Sequence, residues 1–430
     1  MKLRTLVLGS TMLLTALGCS SKSSNDKAPT TTGAAGDTSA GGDGAGTASQ
    51  VLEIFSWWTA PGEAEALTAL EDTYQSQYPH ARYSQFSNTS AATWQEVLGM
   101  QVDDSPWDVC QLSASDLDQF RKDHPDALSP LDDVYADAKL DKVMIPEIRD
   151  VVTRDNHPYG VVTGVHRNNS FIYNQEIFDK QKLKPPTTLD EFLTVSAKLK
   201  KAGIMPVASD YDTWVLRILF DELLAGELGA QGFADFINAK TPATDPDVQT
   251  GISAAIDVFD TVITDYIDVT KSQGDTYDWS SAAQDLHDGN AAMMFHGDWA
   301  KGFLVHLGWT PGVDFGVLGP PGASDLFVYG ADMFFLPATG PHQELGKNFL
   351  GVVASPEGQV AFNKWKGATP MRTDVRDQLD AAGQLSLDGL INAKVLMPGH
   401  ANDTWDKGIE TFGKDHDKAA LLKVYTDTAP

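Results

Sequence analysis

From residue 51 onward, short apolar runs alternate with segments whose apolar residues recur every three or four positions. Val51-Leu52-Glu53-Ile54-Phe55-Ser56-Trp57-Trp58 reads as a strand. Pro61 and Gly62 then open a helix with Leu67, Leu70, Tyr74 and Tyr78 at helical spacing, and Pro79 stops it. Residues 81–86 read as a second strand, 93–102 as a helix and 107–112 as a third strand. Such alternation predicts a parallel α/β sheet covered on both faces.

The pattern continues. Residues 159–163 and 170–173 read as strands, and Thr188-Leu189-Asp190-Glu191 starts a capped helix running to about residue 202. Residues 214–224 and 251–262 are apolar enough for core helices. Strands at 291–295 and 329–336 and a helix at 344–353 follow. No internal repeat is visible. One sheet for 430 residues would be unusually large. Two lobes with a cleft between them fit the length better, and such clefts are common small-ligand sites.

The first fifty residues follow different rules. Lys2 and Arg4 precede a short apolar run at 6–17, too short to span a bilayer, which reads as a secretory signal. It ends in Ala16-Leu17-Gly18-Cys19, similar to a bacterial lipobox with Ala and Leu in the reverse of the usual order. Residues 1–18 are then a signal peptide and Cys19 a lipidation site; the alternative is an ordinary signal peptide with an incidental cysteine. Residues 20–50 hold no aromatic and no large aliphatic side chain, so 19–50 is a flexible Ser/Gly/Thr linker with a reach of roughly 30 Å. The expected location is periplasmic or cell-surface, with the membrane touched through the lipid anchor only.

A net charge of −27 argues against nucleic acid and against a polybasic membrane contact. Besides Cys19 there is one cysteine, Cys110, in an apolar run that suits a buried structural thiol. There is no nucleophile elbow, P-loop, dinucleotide turn or zinc motif, and no histidine pair at metal-ligand spacing. No metal, cofactor or catalytic residue is expected.

What stands out is aromatic. Trp57 and Trp58 end the first strand, and in an open α/β sheet the carboxyl ends of strands face the ligand crevice. An indole face suits the C–H surface of a pyranose, whose hydroxyl rim then needs charged hydrogen-bonding partners.

At these residues the chain resembles extracellular solute-binding proteins that serve carbohydrate ABC transporters, and most closely the bacterial glucose- and mannose-binding proteins. The resemblance covers most of 51–430. It is carried by Ile54-Phe55-Ser56-Trp57-Trp58, Val165-His166-Arg167-Asn168-Asn169, Gly289-Asn290-Ala291-Ala292-Met293-Met294, His296-Gly297-Asp298-Trp299, Ser355-Pro356-Glu357-Gly358 and Lys364-Trp365-Lys366-Gly367, in this order. It implies a two-lobed periplasmic-binding-protein fold of the type II, maltose-binding-protein class, with the ligand cleft between lobes. One lobe would hold 51–166 and 326–366, the other 167–325 and 367–430, with hinges near Val165-His166 and Gly322 to Asp325. It also implies a monomer that binds a monosaccharide, glucose or a related hexose, and delivers it to the permease subunits of an ABC importer.

The resemblance implies a site as well. Trp57 and Trp58 would wall it, and Glu63 would accept sugar hydroxyls, unless it only complements its helix dipole. Gln111 matches a polar contact, while Ser113 stands where relatives carry Lys or His. Trp279 matches a stacking ring, or is a half-buried helix residue. Asp298 matches a cleft carboxylate, or caps a helix. Lys366 and His400 match further polar contacts, or lie on the surface and in a solvated loop. His166 and Arg167 belong to the crossing. Two other classes stay open: an exported glycoside hydrolase using Glu63 and Asp298, and a sensory lipoprotein presenting a bound sugar.

Overall fold

The computed structural model describes residues 51–87, 107–274 and 276–428. The signal peptide 1–18, Cys19, the linker 19–50 and the helix expected at 93–102 lie outside the described residues. Among the described residues no helix is long and apolar enough to cross a membrane.

β1 (Val51–Ser56) buries Leu52 and Ile54 on one face, two residues apart, as its alternation requires. It pairs in parallel with β2 (Arg82–Ser87) on one side and β3 (Val109–Ser113) on the other. A small hairpin follows, β4 (Thr153–Arg154) and β5 (His157–Pro158), turned by Asp155 and Asn156, both in the left-handed conformation such two-residue turns demand. β6 (Val161–Arg167) then leads across Asn168 and Asn169 into a second sheet.

That second sheet holds β7 (Ser170–Asn174), β8 (Met205–Val207), β9 (Ala291–His296) and β10 (Phe315–Leu318), in the order β10-β7-β9-β8. The chain returns through β11 (Leu326–Phe335). Ten residues long, β11 pairs with β12 (Val395–Pro398) at its start, with β6 along its middle and with β3 at its end. β12 is hydrogen-bonded to the first sheet, yet its Met397 packs into the core of the second, as do Leu326 and Val328 of β11. Asn169 pins this junction: its side chain donates to the Leu326 carbonyl at 3.1 Å and accepts from the Val328 N–H at 3.0 Å.

The sheets are mixed, which corrects the expectation of parallel sheets. β11 runs antiparallel to β3 and β6, and β7 antiparallel to β9 and β10. The reason is topological: β11 enters its sheet from the far lobe, and hydrophobic periodicity carries no record of direction. The two sheets, each covered by helices, make the two-lobed α/β body that the residue pattern implied. Thr188 caps the helix Leu189–Lys201 as expected, accepting from the Glu191 N–H. Cys110 is fully buried in β3, and burial raises its thiol well above the ordinary value.

Candidate functional site

A cavity of about 1050 Å³ lies between the two sheets, at the upper end of the range for small-ligand sites. Its walls come from both. Trp57, Glu63, Ser113, Asp332 and Lys366 line it from the first, and Trp214, Asp278, Trp279, Trp299 and His400 from elements packed on the second.

Trp57 owes its position to Gln111. The Gln111 Oε1 accepts from the Trp57 N–H at 3.1 Å and from Ser56 Oγ at 2.6 Å, tying the end of β1 to β3. Gln111 itself is fully buried and does not line the cavity, which corrects its expected role as a ligand contact. Ser113, two residues on along the same strand, is the one that lines it.

Trp58 is likewise corrected. It is 0% exposed, packed against Phe334 and Phe362 with ring centroids 5.6 and 4.8 Å away. The chain has left β1 at Ser56, and Trp58 turns into the core of the first lobe while Trp57 faces the cleft. Trp58 serves as a floor: the Lys366 Nζ sits 5.9 Å from its ring centroid.

Lys366 ends the helix Pro356–Lys366 and is 4% exposed. Its Nζ donates to Glu63 Oε1 at 2.8 Å, so the cleft carries a part-buried ion pair rather than two separate charges. Gly367 allows this helix end to come so close: its φ is +79°, and a Cβ there would lie 2.5 Å from the Gly302 nitrogen and 2.6 Å from the Asp298 carbonyl.

Asp298 follows β9 as expected, but it does not line the cavity. Its Oδ2 accepts from the Arg167 N–H at 2.9 Å and its Oδ1 lies 2.7 Å from His166 Nδ1. It stands at the N-cap position of the helix Trp299–His306 and makes no side-chain capping bond. Both oxygens are committed to the crossing, so Asp298 is a tie between the lobes.

His166 is the reverse case. It sits on the crossing as expected and also lines the cavity. Its Nε2 faces Asp332 Oδ2 at 3.3 Å, so the ring bridges a carboxylate from each lobe. Burial and the Lys366 charge pull its pKa down. Asp298, through charge and hydrogen bond, and Asp332 outweigh them and hold it above the ordinary histidine value.

Trp279 opens the helix Trp279–His287, whose N-cap Asp278 accepts from the Ser281 N–H at 2.9 Å. Three tryptophans, 214, 279 and 299, surround His296 with centroid distances of 5.3, 5.7 and 5.1 Å. His296 is fully buried, and burial pushes its pKa down to about 3. The neutral ring accepts from the Gly297 N–H at 2.7 Å and is a plinth for the aromatic wall.

His400 lines the cavity from the loop after β12. Its Nε2 lies 2.5 Å from the Arg217 NH2, which donates to it. Burial, foremost, lowers the His400 pKa, so the ring stays neutral and able to accept. Arg217 also donates to Asp221 and Asp406, each at 2.9 Å.

The sequence reading missed Trp214, Trp299, Arg217, Asp221, Glu222 and Asp332. A signal existed for some of them. Arg217, Asp221 and Glu222 interrupt the otherwise apolar stretch 214–224 at helical spacing, and Asp332 interrupts an apolar strand.

Comparison with known proteins agrees with this geometry. The family of bacterial extracellular solute-binding proteins matches residues 69–386. An ABC transporter extracellular-binding protein of Pyrococcus horikoshii is 31% identical over 76% of this chain and 72% of its own length. A probable sugar-binding periplasmic protein of Rhizobium meliloti is 29% identical over 83% of this chain and 87% of its own. Among solved structures, a bacterial solute receptor described as exclusively preferring β-D-galactopyranose superposes with a TM-score of 0.71. It is 19% identical, covering 87% of this chain and 96% of that one. Proteins of this kind are receptors rather than enzymes, which sets the glycoside hydrolase alternative aside. The chain belongs to the bacterial extracellular solute-binding protein family.

Proposed function

We propose that this protein captures a sugar outside the cytoplasmic membrane and hands it to an ABC importer. One observation carries the reading: indole rings and ionic side chains from both lobes face one cleft. Trp57 with the Glu63–Lys366 pair stands on one side, and Trp279 with Asp278 on the other. The indoles offer apolar faces to a pyranose ring. The ion pair and Asp278 offer hydrogen bonds of the charged class, each contributing about 1.5–3 kcal/mol. The names of the Rhizobium relative and of the galactopyranose receptor support the same class of ligand.

The ring held at this end is a hexose in pyranose form, glucose or a close stereoisomer. The lobes, 51–166 with 326–366 and 167–325 with 367–430, close on it about the crossings. The sugar's greater affinity for the closed form drives that shift. Cys19 carries a lipid that holds the body at a membrane surface. A thermal-shift and calorimetric panel of hexoses, pentoses and short oligosaccharides tests the ligand class. A sugar present at a hundred times its Kd raises unfolding free energy by about 2.7 kcal/mol. A melting temperature indifferent to every carbohydrate in the panel overturns the reading. Mass spectrometry of membrane-extracted protein tests the lipid: an unmodified Cys19 overturns the anchor.

A further inference from the structure

We propose that a second cavity, walled off from the cleft, binds a small carboxylate with an apolar body. The inference stands apart from the sugar reading and does not depend on it.

This cavity measures about 300 Å³, at the lower end of the range for small-ligand sites. It lies between two helices. Leu304 of the helix Trp299–His306 packs with Ile172 and Met294 of the second sheet, while Phe362 of the helix Pro356–Lys366 packs into the core of the first. The helices touch at Gly302, where a Cβ would lie 2.3 Å from the Trp365 carbonyl oxygen and 2.7 Å from the Lys366 carbonyl carbon. That contact separates two spaces. Trp299 and Lys366 line the cleft, Lys301 and Lys364 line this cavity, and the two share no lining residue.

The lining combines an apolar wall with a buried cation. Val305, Val360, Pro370 and Leu379 supply apolar surface. Lys301 is 5% exposed. Among the described residues its ammonium makes one hydrogen bond, to Ser386 Oγ at 2.7 Å, and no ion pair. An ammonium carries three donors, and a buried charge without a contacting partner is costly. Burial, foremost, pulls the Lys301 pKa down, while Asp298 and Asp380 oppose it from beyond ion-pair distance. Lys364 adds an exposed second cation, its Nζ 5.6 Å from the Trp365 ring centroid. Asp380 is the single carboxylate of the lining, and it accepts from the Gly383 N–H at 2.8 Å as the N-cap of the helix Ala381–Ile391. Two cations thus stand against one anion here, in a chain whose net charge is −27. A carboxylate gives the Lys301 ammonium a charge-assisted partner, and the apolar wall takes its hydrocarbon body.

The test is isothermal titration calorimetry of the wild-type protein with butyrate, hexanoate and benzoate, with the matching amides as uncharged counterparts and inorganic phosphate as an anion without an apolar body. The series is repeated on Lys301→Met and Ala382→Phe. At least one carboxylate should bind saturably, about tenfold or more tighter than its amide, the return from one charged-class hydrogen bond. Lys301→Met should weaken that carboxylate about tenfold. Ala382→Phe places a ring in the cavity wall and keeps the lysine. It should abolish binding, and it keeps the test alive should Lys301→Met not fold. The proposal is overturned by no saturable binding of any carboxylate, by an amide that binds as tightly, by phosphate binding tighter than every carboxylate, or by an affinity that a folded variant leaves unchanged. Each of these results leaves the sugar reading standing.

Discussion

Replacing Asp298 by Ala should weaken the fold in a pH-dependent way before it touches ligand recognition. The substitution removes the acceptor of the part-buried Arg167 N–H, a loss of ~1–3 kcal/mol. It also takes one of two carboxylates from the buried His166. Stripping a buried charge of its only partner costs ~3–5 kcal/mol, and Asp332 remains, so the ionic share is smaller. Together the expected loss is ~3–5 kcal/mol at acid pH. The folded pKa of His166 lies above its unfolded value. Its stabilisation is therefore complete below the unfolded value of about 6.5 and fades as pH rises through the folded one. Urea unfolding of wild type and variant at about pH 5.5 and about pH 8.5 should give a larger difference at the lower pH. The same difference at both would show that His166 carries no ionic link to Asp298. Unchanged stability with lost sugar affinity would return Asp298 to the cleft as a ligand contact.

The tryptophan pair should separate cleanly. Trp58→Ala should cost ~3–5 kcal/mol in urea unfolding, because a fully buried ring is deleted. Trp57→Ala should leave the unfolding midpoint nearly in place and weaken sugar binding in calorimetry. Gln111→Ala should lower sugar affinity although Gln111 does not line the cavity, because Trp57 loses its backbone anchor. Its stability loss should be ~1–3 kcal/mol from the Ser56 hydroxyl and Trp57 N–H left without their acceptor. Trp279→Ala should reduce affinity with the circular dichroism spectrum unchanged, since the ring is only half-buried at the start of its helix.

Much of the fold was legible along the chain. β9 is an apolar run, β1 and β11 are apolar runs broken by Glu53 and Asp332, and the helix Leu189–Lys201 announces itself by its Thr188 cap. Of the residues proposed from the sequence for the site, Trp57, Glu63, Trp279, Lys366 and His400 line the cavity. The polar residues on the helix Thr213–Ile237 were harder to see. A helix that buries one face and lines a cavity with the other looks apolar over 214–224, and Arg217, Asp221 and Glu222 read there as interruptions.

The sequence by itself determined most of the elements, through periodicity, and the two-lobed class, through chain length and family resemblance. Only the tertiary structure decided which of two adjacent indoles faces the cleft and that Asp298 ties the lobes. It alone showed that the Gln111 side chain accepts from the Trp57 N–H. Those outcomes depend on contacts between residues 54 to 303 positions apart, such as Gln111 with Trp57 and Lys366 with Glu63. Separation along the chain says nothing about which of them will meet.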